Sequence, residues 1–161
     1  MKNKTLIGII KLIISIAICQ LAGFFGSLFT RPNIPTWYAS LNKPNFTPPN
    51  WVFSPVWITL FVLMGISAFL VWNKGLDYKG VKKALTIFLV QLILNTLWSL
   101  AFFGLKSPLF GFLVIVILWV AILFTIINFF KVMKIAGFLL IPYILWVSFA
   151  AALNFSIWRL N

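Results

Sequence analysis

Residues 37–57 read WYASLNKPNFTPPNWVFSPVW, with three tryptophans, four prolines and a single charge, Lys43. Pro44, Pro48 and Pro49 lack a backbone donor and push the residues before them out of the helical region, so the stretch is expected to be neither helix nor strand throughout. Pro55 falls in the first turns of the apolar run that follows, where a missing N–H is tolerated. The connection, over about residues 30–50, is long for a compact domain, and loops of such length often serve as lids. It joins two runs, about 6–29 and 51–72, each of which meets the roughly 20 apolar residues needed to cross a bilayer.

Outward from there, three more runs of similar length follow at about 81–103, 109–130 and 135–157. The fold expected is all-α: one domain over residues 1–161, an integral membrane bundle of five transmembrane helices under a loop at about 30–50. Composition agrees, because 63% of the chain is hydrophobic against roughly 45–50% in soluble domains. Only 9% is charged and the mean hydropathy is +1.10, so the solvent for most of the chain is the lipid bilayer. Lys2 and Lys4 precede the first run as they would in a signal peptide, but that run is too long and no small-x-small site follows, so an uncleaved span is expected.

Lys and Arg number 13 against one acid, Asp77, for a net charge of +12. The cations sit at the ends of apolar runs and form no stripe, which argues against nucleic acid and for a membrane surface. With five spans, Lys2, Lys4, Lys11, Lys74, Lys79, Lys82, Lys83, Lys131 and Lys134 fall on one side; Arg31, Lys43, Lys106 and Arg159 fall on the other. The excess places the amino terminus in the cytoplasm, with the long loop and the carboxy terminus outside.

The absences restrict chemistry. There is no His and no Glu, and Cys19 is the one cysteine. A carboxylate pair, a His/Cys metal cluster and a Ser–His–Asp relay cannot be assembled, and neither metal nor cofactor is expected. Cys19, without an intrachain partner, reads as a buried structural thiol.

Polar and aromatic residues inside the runs fall on helical faces. Gln91, Asn95, Trp98 and Phe102 follow i, i+4, i+7, i+11; Tyr143, Trp146, Ala150 and Asn154 share another face; Trp57, Phe61, Met64 and Ala68 form a third. Two explanations stand at this point. Asn and Gln serve as hydrogen-bonding glue between helices, and Trp near span ends marks the interface belt. Alternatively Trp57, Trp98 and Trp146, which lie further inside than Trp51, Trp72 and Trp158, line a pocket. Small residues, Gly23 and Gly26 in the first span and Ala150 in the fifth, permit close helix approach. In the loop, Trp37, Tyr38 and Phe46 offer apolar faces while Arg31 and Lys43 are placed to meet an anion.

The segments WYASLNKPNFTPPNWVFSPVW, QLILNTLWSLAFFG at 91–104 and PYILWVSFAAALNFSIWR at 142–159 resemble the translocator protein family, which includes tryptophan-rich sensory proteins of bacteria and the peripheral-type benzodiazepine receptor. The likeness runs from about Gly23 to the end of the chain in order and spacing. It implies a five-helix bundle, often a homodimer, in a bacterial plasma membrane, with a pocket under the first loop. It further implies binding of porphyrins and related tetrapyrroles, sterols and benzodiazepine-type ligands. Carried onto this chain, the ligand-binding set is Tyr38, Trp57, Asn95, Trp98, Trp146 and Ala150; Arg31, Trp37 and Lys43 are expected as lid or anion contacts from the reading of the loop itself. If light- and oxygen-dependent porphyrin breakdown occurs, Trp57 and Trp146 would carry it. The chain departs from animal members at Phe155, where their sterol pattern has Tyr, and has no small-residue pair on the third span, where Thr86 and Val90 stand. Receptor or sensor, photo-oxidative enzyme, and tetrapyrrole or lipid transporter all remain open on these residues.

Overall fold

In the computed structural model the backbone is described for Lys2–Asn161 and side chains from Thr5 onward, so Lys2 and Lys4 of the charge count lie outside the described side chains. Five helical segments are long and apolar enough to cross a membrane, and no strand occurs among the described residues. Helix α1 covers Lys2–Asn33 and continues through a π-helical turn, Ile34–Tyr38. Helix α2 covers Asn50–Trp72; α3 covers Val81–Ser99 and runs into a second π-helical turn, Leu100–Gly104. Helix α4 covers Pro108–Val132. The fifth span is built from two pieces, α5 over Lys134–Leu139 and α6 over Ile141–Leu160. Pro142, at the second position of α6, has no N–H to continue the preceding ladder, which accounts for the break at Leu140.

The loop expected over about 30–50 is corrected here. Helical backbone persists to Ser40, so the irregular connection is about ten residues shorter at its start than the end of the apolar run near Phe29 suggested, while the segment around Pro44, Pro48 and Pro49 is irregular as expected. Pro32 sits in the last turn of α1 and Pro35 inside the π-helical turn, whose wider winding relieves the ring clash. Side chains support the carbonyls around this point: Asn33 Nδ2 donates to Phe29 O at 2.9 Å and Thr36 Oγ1 to Pro32 O at 3.0 Å.

Contacts between spans close a ring in the order first, second, fifth, fourth, third. At the crossing of α1 and α2 a Cβ added to Gly65 would lie 2.6 Å from Ile16 Cα, so only glycine admits that approach. Above it the two helices diverge. The core of the ring is apolar, with Met64, Leu118, Ile122 and Phe129 essentially inaccessible. Outward faces carry exposed Leu, Ile, Val and Phe, as lipid requires.

Connection 41–49 is strapped to the bundle. Asn42 N donates to Asn161 Oδ1 and Asn161 Nδ2 returns a bond to Asn42 O, both at 2.9 Å. Phe46 rests edge-on against Phe149 with centroids 6.3 Å apart.

Candidate functional site

Where α1 and α2 diverge, a cavity of about 410 Å³ opens between them and is backed by α3 and α6. Such a volume lies within the range of about 300–1,000 Å³ typical of small-molecule sites. Its back wall is aromatic. Trp57 stacks on Phe61 (centroids 5.7 Å) and tilts against Trp98 at 6.2 Å, and Trp98 stacks on Phe102 at 5.9 Å. Tyr38, buried at the end of the first span, meets Phe102 edge-on at 6.2 Å and closes the top. Phe24 of α1 and Ile58 of α2 line the cavity while remaining more than half exposed on the outside, so the gap between the two helices faces the hydrocarbon. Gln20 Nε2, donating to Ile58 O at 3.1 Å, ties the helices together below that gap.

The polar residues of the inner faces hold one another. Trp98 Nε1–H donates to Asn154 Oδ1 at 3.1 Å, and Asn154 Nδ2 donates to Pro108 O at 2.8 Å. Asn95 Nδ2 donates to Tyr143 Oη at 2.9 Å, and Tyr143 donates to Gln91 Oε1 at 2.9 Å. Helix glue and pocket lining, the two explanations open from the sequence, are therefore the same residues: Asn95, Trp98 and Asn154 line the cavity and also bond across helices.

Of the residues singled out in the sequence, Tyr38, Trp57, Asn95, Trp98, Ala150 and Arg31 all line this cavity. Three others stand elsewhere. Trp146 is not in the lining: Phe53 of α2 comes in front of it, centroids 6.1 Å apart, and its Nε1–H is buried without a partner. Trp37 turns away from the cavity, packs edge-on against Phe102 at 5.4 Å and, with Trp158 and Lys106, lines a separate surface cleft of about 370 Å³. Lys43 is occupied. Its Nζ donates to the carbonyls of Tyr38 (2.7 Å) and Leu41 (3.0 Å) and lies 4.9 Å from the Tyr38 ring centroid. It caps the carbonyl end of the first helix, as basic residues do at helix C-termini. Among the described residues Arg31 is thus the one charged side chain in the lining.

The first span, α1 with its π-helical turn, contributes more than its sequence pattern led one to expect. Gln20, Gly23, Phe24, Ser27, Arg31 and Ile34 line the cavity from one face. Their spacing of three and four is a helical stripe, visible in the sequence as polar and small residues recurring through an otherwise aliphatic run. Phe53, at the start of α2, carried no such signal.

Geometry and composition together define an integral membrane protein of five membrane-spanning segments, four of which line an aromatic cavity open toward lipid. The chain belongs to the TspO/MBR family, whose model matches residues 15–159. It is 46% identical over 153 residues to the tryptophan-rich protein TspO of Archaeoglobus fulgidus, covering 95% of this chain and 98% of that one. It is 44% identical over 153 residues to the protein of the same name from Chlorobaculum tepidum, covering 95% and 97%. The human translocator protein is 36% identical over 144 residues, covering 88% of this chain and 85% of its own.

Proposed function

We propose that this protein is a membrane receptor or sensor for porphyrins and related flat tetrapyrroles, which it takes up between α1 and α2. The observation that carries the reading is the continuous run of rings, Phe61–Trp57–Trp98–Phe102, along one wall of the cavity. Such a wall matches a planar apolar ligand by stacking. Arg31, at the mouth, is the side chain that meets a propionate, since Lys43 is spent on the helix end. Lateral openness suits a macrocycle wider than the cavity, because an edge can remain in the hydrocarbon.

Tryptophan quenching by protoporphyrin, titrated into purified protein, tests this. Saturable quenching is expected, absent in empty micelles, with metal-free protoporphyrin binding at least as tightly as haem because the chain offers no His to the iron. Arg31→Gln is expected to weaken the diacid about threefold to tenfold while sparing its dimethyl ester, and Lys43→Gln to leave both nearly unchanged. Haem bound far more tightly, with a six-coordinate spectrum, contradicts the reading.

We also place the amino terminus in the cytoplasm, with the mouth of the cavity near the outer surface. The support is the charge asymmetry: Lys74, Lys79, Lys82, Lys83, Lys131 and Lys134 all lie at the end opposite Arg31 and Lys43. A reporter fused after Asn161 should be read outside the cytoplasm; a cytoplasmic signal inverts the assignment.

A further inference from the structure

Asn154 and Asn95 both present a side-chain amide to the cavity, but they are held differently. Asn154 is pinned at both ends, because an indole N–H can only donate and a backbone carbonyl can only accept. Asn95 is held by a hydroxyl, which does both. The chain Asn95–Tyr143–Gln91 therefore admits two polarities with every heavy atom in place. In the polarity described above, Asn95 Nδ2 donates to Tyr143, Tyr143 donates to Gln91 Oε1, and Gln91 Nε2 is left buried without a partner. Gln91 is 1% exposed, so bulk solvent does not reach those two N–H groups. Orphaned buried donors are rare, and an under-satisfied carbonyl oxygen is tolerated better.

The geometry points to the opposite polarity: Gln91 Nε2 donates to Tyr143, the Tyr143 hydroxyl donates to Asn95 Oδ1, and Asn95 turns its Nδ2–H groups toward the cavity. A half turn of each amide converts one state into the other, and the orphan left at Gln91 becomes an oxygen. Gln91 and Tyr143, which need not touch the ligand, are then positioning residues. They set the inner end of the site as a hydrogen-bond donor, selecting ligands that carry a carbonyl, carboxylate or imine acceptor on a flat apolar body. The inference deepens the function proposed above and rests on the same cavity.

Two measurements decide it. In ligand-free protein, the through-space NMR contact of the Tyr143 hydroxyl proton is expected to reach the Gln91 side-chain NH₂; a contact to the Asn95 NH₂ instead overturns the polarity. Binding of two matched tricycles, acceptor-only fluorenone and donor-only carbazole, is followed through the Trp57 and Trp98 indole N–H resonances. Relative to Asn95→Leu, which normalises for partition into the micelle, the wild type is expected to favour fluorenone about tenfold, the worth of one buried hydrogen bond. Tyr143→Phe should collapse that ratio. A merely structural role would lower both affinities and leave the ratio intact, and a wild-type preference for carbazole overturns the proposal. Failure of protoporphyrin to bind, with the hydroxyl contact at Gln91, removes the tetrapyrrole reading and leaves this one standing.

Discussion

Replacing Trp57 by alanine is expected to weaken protoporphyrin binding by about seventyfold. The indole sits where three helices meet: it stacks on Phe61 of its own helix, tilts on Trp98 of α3 and meets Tyr143 of α6 edge-on at 6.3 Å. A tryptophan buries about 150–250 Å², and if about 100 Å² of it faces the ligand, removal forfeits about 2.5 kcal/mol at ~25 cal/mol per Å². Trp57→Phe keeps one ring and should lose less. Because a truncated core tryptophan also destabilises the fold, a second variant separates the two effects. Trp146→Ala deletes the same side chain from behind Phe53, outside the cavity lining. It is expected to lower thermal stability while changing porphyrin affinity by less than about threefold, as residues without contact do. Equal loss of affinity in both variants would move the ligand away from the wall described here.

The contrast between Trp57 and Trp146 also shows what one chain's pattern of residues reveals. Spacing along α6 places Trp146 on the same face as Tyr143 and Ala150, and in the structure that face does turn inward. What the spacing cannot contain is the neighbour: Phe53, from the first turn of another helix, occupies the position in front. Periodicity reports direction from one axis, whereas lining a cavity depends on which side chains two axes place in the same space. Trp98 and Asn95 were legible because their face looks across the bundle at the point where α1 and α2 separate, with nothing interposed.

The loop misled for one reason with two consequences. The apolar run ends near Phe29, which reads as the end of the helix, but the π-helical turn and the Asn33 and Thr36 side chains carry it past Pro32 and Pro35 to Ser40. Once the helix ends there, Lys43 stands three residues beyond it, where an ammonium reaches the last carbonyls. Placed in a long free loop, the same lysine looks available to an anion. Trp37 and Tyr38 likewise become consecutive residues on a helical turn and point in different directions, one to the outer cleft and one into the cavity. The five spans were plain throughout, because length and apolarity of each run decide them without reference to partners.

Gly65→Leu is expected to cost about 3 kcal/mol or more of stability and to damage binding, although Gly65 lies eight residues, or about 12 Å, below Trp57 along α2. A Cβ there would stand 2.6 Å from Ile16 Cα, 2.9 Å from Ile16 Cγ1 and 3.0 Å from Ile16 N. Two of those three atoms are backbone, so the collision cannot be resolved by a rotamer; α1 itself has to move. Since this contact is the closed end of the wedge whose open end is the cavity, displacing α1 changes the width of the gap that admits the ligand. Gly23 supplies the comparison. The atoms nearest a Cβ at Gly23 would all belong to the Phe61 ring, the closest at 2.6 Å, and a ring can swing. Gly23→Ala should therefore disturb porphyrin affinity, through the tilt of Phe61 under Trp57, more than it disturbs the melting temperature. Gly8, with nothing within 4 Å of an added Cβ, should accept alanine with unchanged or slightly raised stability. Melting curves of the three variants in one detergent, read beside their porphyrin titrations, order them by mechanism. A Gly65→Leu protein that melts with the wild type would show that α1 and α2 are not set apart by that crossing, and the cavity's width would then need another cause.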